Sequence, residues 1–325
     1  AKTMNSRPLR AILLCLIPPL IWGGMFPIAG LLIPTVNMFA TTLIRYVIVA
    51  IILALLLARS EGKVSFSTAG SRPKLFLLGS AGFAGFGLLA FTALSYTSSP
   101  NVSLMMAMMP AISAVFAAAA TRRLPPKYTL AAILIAFFGV SLVLTNGDYT
   151  RFLSLQDIFG EILALLGAIC WVYYTRGAAA FPDWSVLRYT TITTALGCIT
   201  IAAATVIATL VGYVQAPTLS AVLAGTPELT YLIVLAGVIA VLFWNKGNRL
   251  LGPLNGTLFM NVVPLTTFTI TSIVSGKLPT APATIGVLLV IAGLLLNNYF
   301  SRRASVITAT APQVAVPSVV ENPAN

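Results

Sequence analysis

Arg45 is the one charged residue in a long apolar stretch, with no acidic residue in the same run. A guanidinium placed near the middle of a membrane span costs at least about 2.5–3.5 kcal/mol if unpaired, so something must offset it. It can bond backbone carbonyls and brace a helix bundle, or it can hold a bound carboxylate. An isolated arginine on a second helix reads first as a brace, with Arg188, in the matching dipeptide Arg188-Tyr189, as its counterpart. Trp22, Trp171 and Trp244 also lie within apolar runs. Their rings could stack on a flat or apolar substrate, although tryptophan in a membrane protein also marks the interface or plain packing. Met105, Met106, Met108 and Met109 precede Pro110 and form a polarizable patch suited to a tolerant pocket, or to simple packing.

Bond-making chemistry has little to work with. The chain has no histidine, and no Asp or Glu falls in the middle of any predicted span, Asp157 and Glu161 at the outer end of the sixth being the nearest exceptions. Cys15, Cys170 and Cys198 sit singly in apolar runs and read as packing residues, not as a disulfide or zinc framework. No Walker-type Gly-Lys-Ser/Thr occurs. The expectation is reversible recognition without cofactor, metal or catalysis, and facilitated diffusion in preference to proton antiport, because the usual proton carriers are missing from the membrane interior.

These residues must be positioned by membrane helices. Of 325 residues 58% are hydrophobic and 8% charged, against about a quarter charged in soluble domains. Lipid is therefore the solvent. Breaks at Pro, Gly and polar clusters predict helices over 9–33, 35–58, 74–97, 100–121 and 127–146, then 155–178, 185–213, 228–248, 253–275 and 281–301. Residues 1–8 form an amino-terminal segment and 304–325 a disordered tail. The first run follows a basic start but is broken by Pro18, Pro19, Gly23 and Gly24, and reads as a retained helix instead of a signal peptide.

The net charge of +12 lies in short connectors: Arg59, Lys63, Arg72 and Lys74, then Arg122, Arg123 and Lys127, then Arg176, then Lys246 and Arg249, with Lys2, Arg7 and Arg10 at one end and Arg302 and Arg303 at the other. The opposite side has only Arg151 and Lys277. Lys and Arg collect on the cytoplasmic side, so both termini are expected there, and nucleic-acid binding is not.

A shift of 154 residues aligns Asn101 with Asn255, Leu104 with Leu258, Met106 with Met260, Pro110 with Pro264 and Gly139 with Gly293. Smaller shifts pair Trp22 with Trp171 and Arg45-Tyr46 with Arg188-Tyr189. The fold expected is an all-α membrane protein of ten transmembrane helices, built as two inverted five-helix repeats, 9–146 and 155–303, around a central cavity. Inversion follows because each unit holds an odd number of spans. Asn101, after Pro100, and Asn255, after Pro253, would then face opposite mouths of one cavity, unless each only caps its helix. Pro110 and Pro264 would serve as paired hinges or as packing kinks, and Gly79, Gly82, Gly85 and Gly87 permit close helix approach.

The pair Trp22-Gly23, Arg45, the stretch Ala93-Leu94-Ser95-Tyr96-Thr97-Ser98 leading through Pro110 to Leu124 and Gly139-Val140, and the later run through Asn248, Pro264, Leu278 and Gly293 resemble the drug/metabolite transporter superfamily in its EamA-type branch. The resemblance covers nearly the whole chain to about Arg303. One departure is that the family commonly has a glutamate before the leucine ending the fourth and ninth helices, where this chain has Arg122-Arg123 and Gly276-Lys277. The resemblance implies an exporter in the bacterial inner membrane for metabolites, amino acids or drugs, with aromatic amino-acid exporters of the YddG type as the nearest kind. It also places Phe86, Tyr96 and Phe259 on helices around the cavity. The partners expected are a small-molecule substrate and the bilayer, with the oligomeric state left open between a monomer and larger assemblies. Competing readings are a proton-coupled multidrug exporter, a channel and a lipid-acting membrane enzyme; the last would need clustered acids or histidines.

Overall fold

Ten long helices follow one another with short connections in the computed structural model, which describes residues 6–150, 155–278 and 280–310. They are α1 (Ser6–Leu32), α2 (Met38–Ser60), α3 (Arg72–Ala93), α4 (Ser99–Thr121), α5 (Lys127–Thr145), α6 (Leu155–Gly177), α7 (Val186–Leu210), α8 (Thr226–Leu251), α9 (Pro253–Ser275) and α10 (Ala281–Thr310). Among the described residues nine of these are long and apolar enough to cross a membrane; α5, with 19 residues, is packed along α10.

Local chemistry sets the helix ends. Asn37 Oδ1 accepts from the amides of Phe39 and Ala40, each at 3.0 Å, and starts α2. Ser98 and Ser185 do the same for α4 and α7 through the amides of Asn101 and Arg188. Each satisfies an amide that has no partner inside the helix. At the other end α4 stops on Arg122 and α9 on Gly276, both left-handed, with φ of 53° and 67°. Those two positions are 154 residues apart, so the sequence repeat extends to the geometry of the caps.

Small residues let the helices approach. A Cβ on Gly139 of α5 would lie 2.6 Å from the Gly286 carbonyl oxygen of α10, and one on Gly293 would lie 3.0 Å from that of Ala132. Because Gly139 pairs with Gly293 and Ala132 with Gly286 under the same shift, this contact uses equivalent residues from both halves. On α3, Gly79 meets α7, Gly82 and Gly85 meet Tyr174 and Cys170 of α6, and Gly87 meets Thr42 of α2.

Four helices are irregular, again in matched places. α3 is π-helical over Ser80–Gly85 and α8 over Tyr231–Ile239. α9 is 3-10 over Thr257–Asn261, just before Pro264. α4 is interrupted just before Pro110, where the amides of Ala107 and Met108 bond back three residues to Leu104 and Met105. Proline cannot donate and crowds the preceding turn, which explains the breaks in α4 and α9.

Most helix ends fall within three residues of the sequence reading, and the larger differences are these. α3 ends at Ala93, four residues before the expected 97, because the amides of Leu94, Ser95 and Tyr96 turn back onto carbonyls three residues earlier. A short helix, Leu219–Ala224, interrupts the α7 to α8 connection. α10 continues to Thr310 through the first residues assigned to the tail, and 311–325 lie outside the described residues, as do 1–5, Arg151 and Pro279.

Candidate functional site

Rings from four helices fill the centre of the bundle. Trp22 of α1 and Trp171 of α6 meet edge to face with centroids 5.4 Å apart at 88°. Trp244 of α8 lies 5.5 Å from Trp22, and Phe86 of α3 lies 5.4 Å from Trp171. Trp22 is held by its indole N–H, which donates at 3.0 Å to the carbonyl oxygen of Ala236, inside the π-helical part of α8. The Trp171 indole nitrogen is buried and has no partner.

Beside these rings lies a small cavity of about 10 Å³, room for roughly one water. Trp22, Phe86 and Trp171 line it, together with Met106 and Met260, which the repeat pairs, and Arg45 and Tyr46 of α2. The centre is thus closed tightly over residues drawn from both halves.

Arg45 is 1% exposed, and its Nε and Nη1 have no hydrogen-bond partner. Its guanidinium lies 4.7 Å from the Tyr46 ring centroid and 5.8 Å from that of Phe91. The aromatic faces offset part of its buried charge. Expected as a brace, it instead borders the central cavity without bonding a backbone carbonyl among the described residues. Its sequence counterpart Arg188 does have a backbone partner: Nη2 donates to the Ser67 carbonyl oxygen at 2.6 Å and the guanidinium stacks 3.9 Å from the Trp184 ring.

Other sequence candidates are placed around the centre, not in it. Asn101 Nδ2 donates to Thr97 Oγ1 at 2.9 Å, and Thr97 donates to Asp157 Oδ1 at 2.7 Å, which ties α4 to the start of α6. Asn255 accepts from Asn297 Nδ2 at 3.1 Å, while Asn297 Oδ1 accepts from Thr129 at 2.9 Å, which ties α9 to α10 and α5. Tyr96 packs on Phe159, 4.8 Å between centroids, in the turn after α3. Phe259 faces an apolar groove among α1, α9 and α10, and Met105 packs on the flank of the core next to the lining Met106. Pro110 and Pro264 are buried just past the breaks they cause.

Below Trp244 a separate cleft of about 200 Å³ is lined by Thr175, Asn245, Asn248, Arg249 and Pro253. The Trp244 indole N–H donates to Thr175 Oγ1 at 3.0 Å, and Asn245 Nδ2 donates to Tyr174 Oη at 2.8 Å and to Thr190 Oγ1 at 3.0 Å. Trp244 therefore links Trp22, which lines the central cavity, to Thr175, which lines this cleft.

Tyr46 and Met260 were not among the site residues expected from sequence. Signals existed for both, since Tyr46 belongs to the repeated Arg-Tyr dipeptide and Met260 is the repeat mate of Met106, which the methionine patch had singled out.

A helical bundle of this length and apolarity, closing two similar halves over a buried site, defines a polytopic membrane transporter. The chain belongs to the EamA-like transporter family, whose profile matches it twice, over residues 9–145 and 158–299. The double match identifies two copies of one unit. Among relatives, the chain is 38% identical to uncharacterized transporter YrdR of Bacillus subtilis (strain 168), over 90% of this chain and 92% of that one. It is 27% identical to uncharacterized transporter YyaM of the same organism, over 77% and 81%, and 25% identical to an uncharacterized transporter of Archaeoglobus fulgidus, over 91% and 98%. A crystal structure of a protein at 21% identity superposes with a TM-score of 0.68, covering 90% of this chain and 98% of its own, which shows a shared fold.

Proposed function

We propose that this chain exports small metabolites, neutral or aromatic amino acids above all, across a bacterial plasma membrane by alternating access and without ion coupling. In this reading the two halves have inverted topology and both termini are cytoplasmic, as the distribution of Lys and Arg favours. The observation that carries the proposal is the composition of the central cavity: Trp22 with Trp171, and Met106 with Met260, are repeat mates that converge on one enclosed point. A site at the junction of two repeats is approached from either side when the halves rock. The rings there favour a flat or apolar side chain, in keeping with the likeness to YddG-type exporters.

Counterflow tests it. Purified protein in liposomes loaded with unlabelled phenylalanine is expected to take up external labelled phenylalanine saturably with no pH gradient imposed. A requirement for a pH gradient would exclude uniport. Unsaturable flux would indicate a channel.

A further inference from the structure

We propose that Arg45 is the carboxylate-binding group of the central site, so that this transporter recognises its substrate by the acid group and not by the amine. The proposal rests on the transport reading and narrows it.

Arg45 combines three properties that a bracing arginine does not share. It borders the small central cavity, it is almost fully buried, and two of its nitrogens are without an acceptor. Within reach of its charge the ionisable side chains are Tyr46 and Tyr231, and no carboxylate is among them. Tyr231 is itself engaged, donating to the Ile21 carbonyl oxygen. The aromatic faces of Tyr46 and Phe91 compensate the cation only partly, because a ring quadrupole supplies no hydrogen-bond acceptor in the guanidinium plane. A planar fork of donors lacking acceptors, in a site shielded from water, matches a carboxylate bidentately.

A second donor points the same way. Trp171 lines the same cavity, and its indole N–H is buried and has nothing to bond to. Two unfilled donors and no facing carboxylate, among the described residues, make a site complementary to an anion. A substrate ammonium would find rings and methionine sulfurs there, with no charged partner. Phe86, Trp22 and the paired Met106 and Met260 supply the walls for an apolar or aromatic body. With room for about one water, the cavity admits such a ligand only as the halves part; the π-helical segments of α3 and α8 end one and two residues before Phe86 and Val241 of its lining.

The test uses full-length purified protein in detergent with four probes of one shape: L-phenylalanine, 3-phenylpropanoate, L-phenylalanine amide and phenethylamine. Binding is read from quenching of tryptophan fluorescence. The expected result is that the two acids bind with affinities within about tenfold of each other while the amide and the amine bind at least about tenfold more weakly. Arg45→Lys should weaken acid binding at least about tenfold, Arg45→Met should abolish it, and Arg188→Gln should leave it unchanged. Thermal unfolding separates this from bracing: Arg45→Met removes an uncompensated buried charge and should melt at or above the temperature of the unsubstituted protein, whereas loss of a brace lowers it. Phenethylamine binding as tightly as the acids, an Arg45→Met protein that keeps acid affinity, or no binding of either acid would overturn the proposal. If saturable counterflow is then found with an amine or a cationic amphiphile, the transport reading stands and the carboxylate reading alone fails; absence of counterflow with every solute would remove the transport reading itself.

Discussion

Trp22 and Trp171 hold the same place in the two halves and touch edge to face, 5.4 Å apart, yet only one of their indole nitrogens is bonded. Their equivalence in sequence is therefore broken by the structure at the point where the halves meet. Trp22 is anchored to Ala236, whereas Trp171 keeps a free donor beside the cavity. Replacing each by phenylalanine keeps most of the ring and removes only the N–H. Trp22→Phe should cost about 1 kcal/mol of stability or somewhat more, since the Ala236 carbonyl loses a partner in a buried place. Trp171→Phe should cost less in stability and more in acid binding. Paired thermal melts and fluorescence titrations measure both, and equal losses of stability would contradict the assignment.

Arg122 ends α4 with a φ of 53°, where a side chain is disfavoured, and its repeat mate Gly276 ends α9 at 67°. Glycine adopts this conformation without steric penalty. Arg122→Gly should therefore raise stability by about 0.5–1 kcal/mol, and Gly276→Ala should lower it by a similar amount, although open space surrounds Gly276. Melting temperatures of the two variants should move in opposite directions.

The α5 and α10 contact depends on missing side chains. Gly139→Ala would bring a methyl group to within 2.6 Å of the Gly286 carbonyl oxygen, backbone that cannot rotate away. Overpacking of this kind costs about 1–3 kcal/mol. Gly30→Ala is the control, because its Cβ would meet only Ser99 Oγ at 3.9 Å. A Gly139→Ala protein melting with the Gly30→Ala control would show that the helices can slide apart at no cost.

The membrane helices were largely legible because apolar runs of about 20 residues broken by Pro, Gly and charge leave few alternatives. The breaks in α4 and α9 were legible too, through Pro110 and Pro264. The π-helical stretch Tyr231–Ile239 was not, since it contains no proline; Trp22 and Tyr231 bond across between it and α1, contacts that only the fold brings together. The site was half legible. Arg45 announces a buried charge, but which side of α2 it occupies relative to the cavity is a tertiary fact, and the structure moves it from brace to lining. Phe259 shows the converse, an aromatic on the right helix that faces the groove among α1, α9 and α10 instead.

Asn101 and Asn255, expected at two mouths of one cavity, instead tie helices together away from it, through Thr97 and Asp157 on one side and through Asn297 and Thr129 on the other. In the proposed topology these ties lie at the outer and inner ends. Each would close one entrance, so cutting them should bias the molecule in opposite directions. Asn101→Ala removes the bond that holds Thr97, the residue that donates to Asp157 of α6, and should favour the outward-open form; Asn255→Ala frees α9 from α10 and should favour the inward-open form. Each lost bond contributes about 0.5–1.5 kcal/mol, which shifts a two-state ratio by roughly two- to tenfold. A single cysteine in place of Val241, which lines the cavity, in a protein otherwise cleared of cysteine, reports the bias. Its reaction with a membrane-impermeant maleimide applied from the inner face should quicken in the Asn255→Ala background and slow in the Asn101→Ala background. Rates that change in the same direction in both would mean the two asparagines stabilise the bundle without gating it.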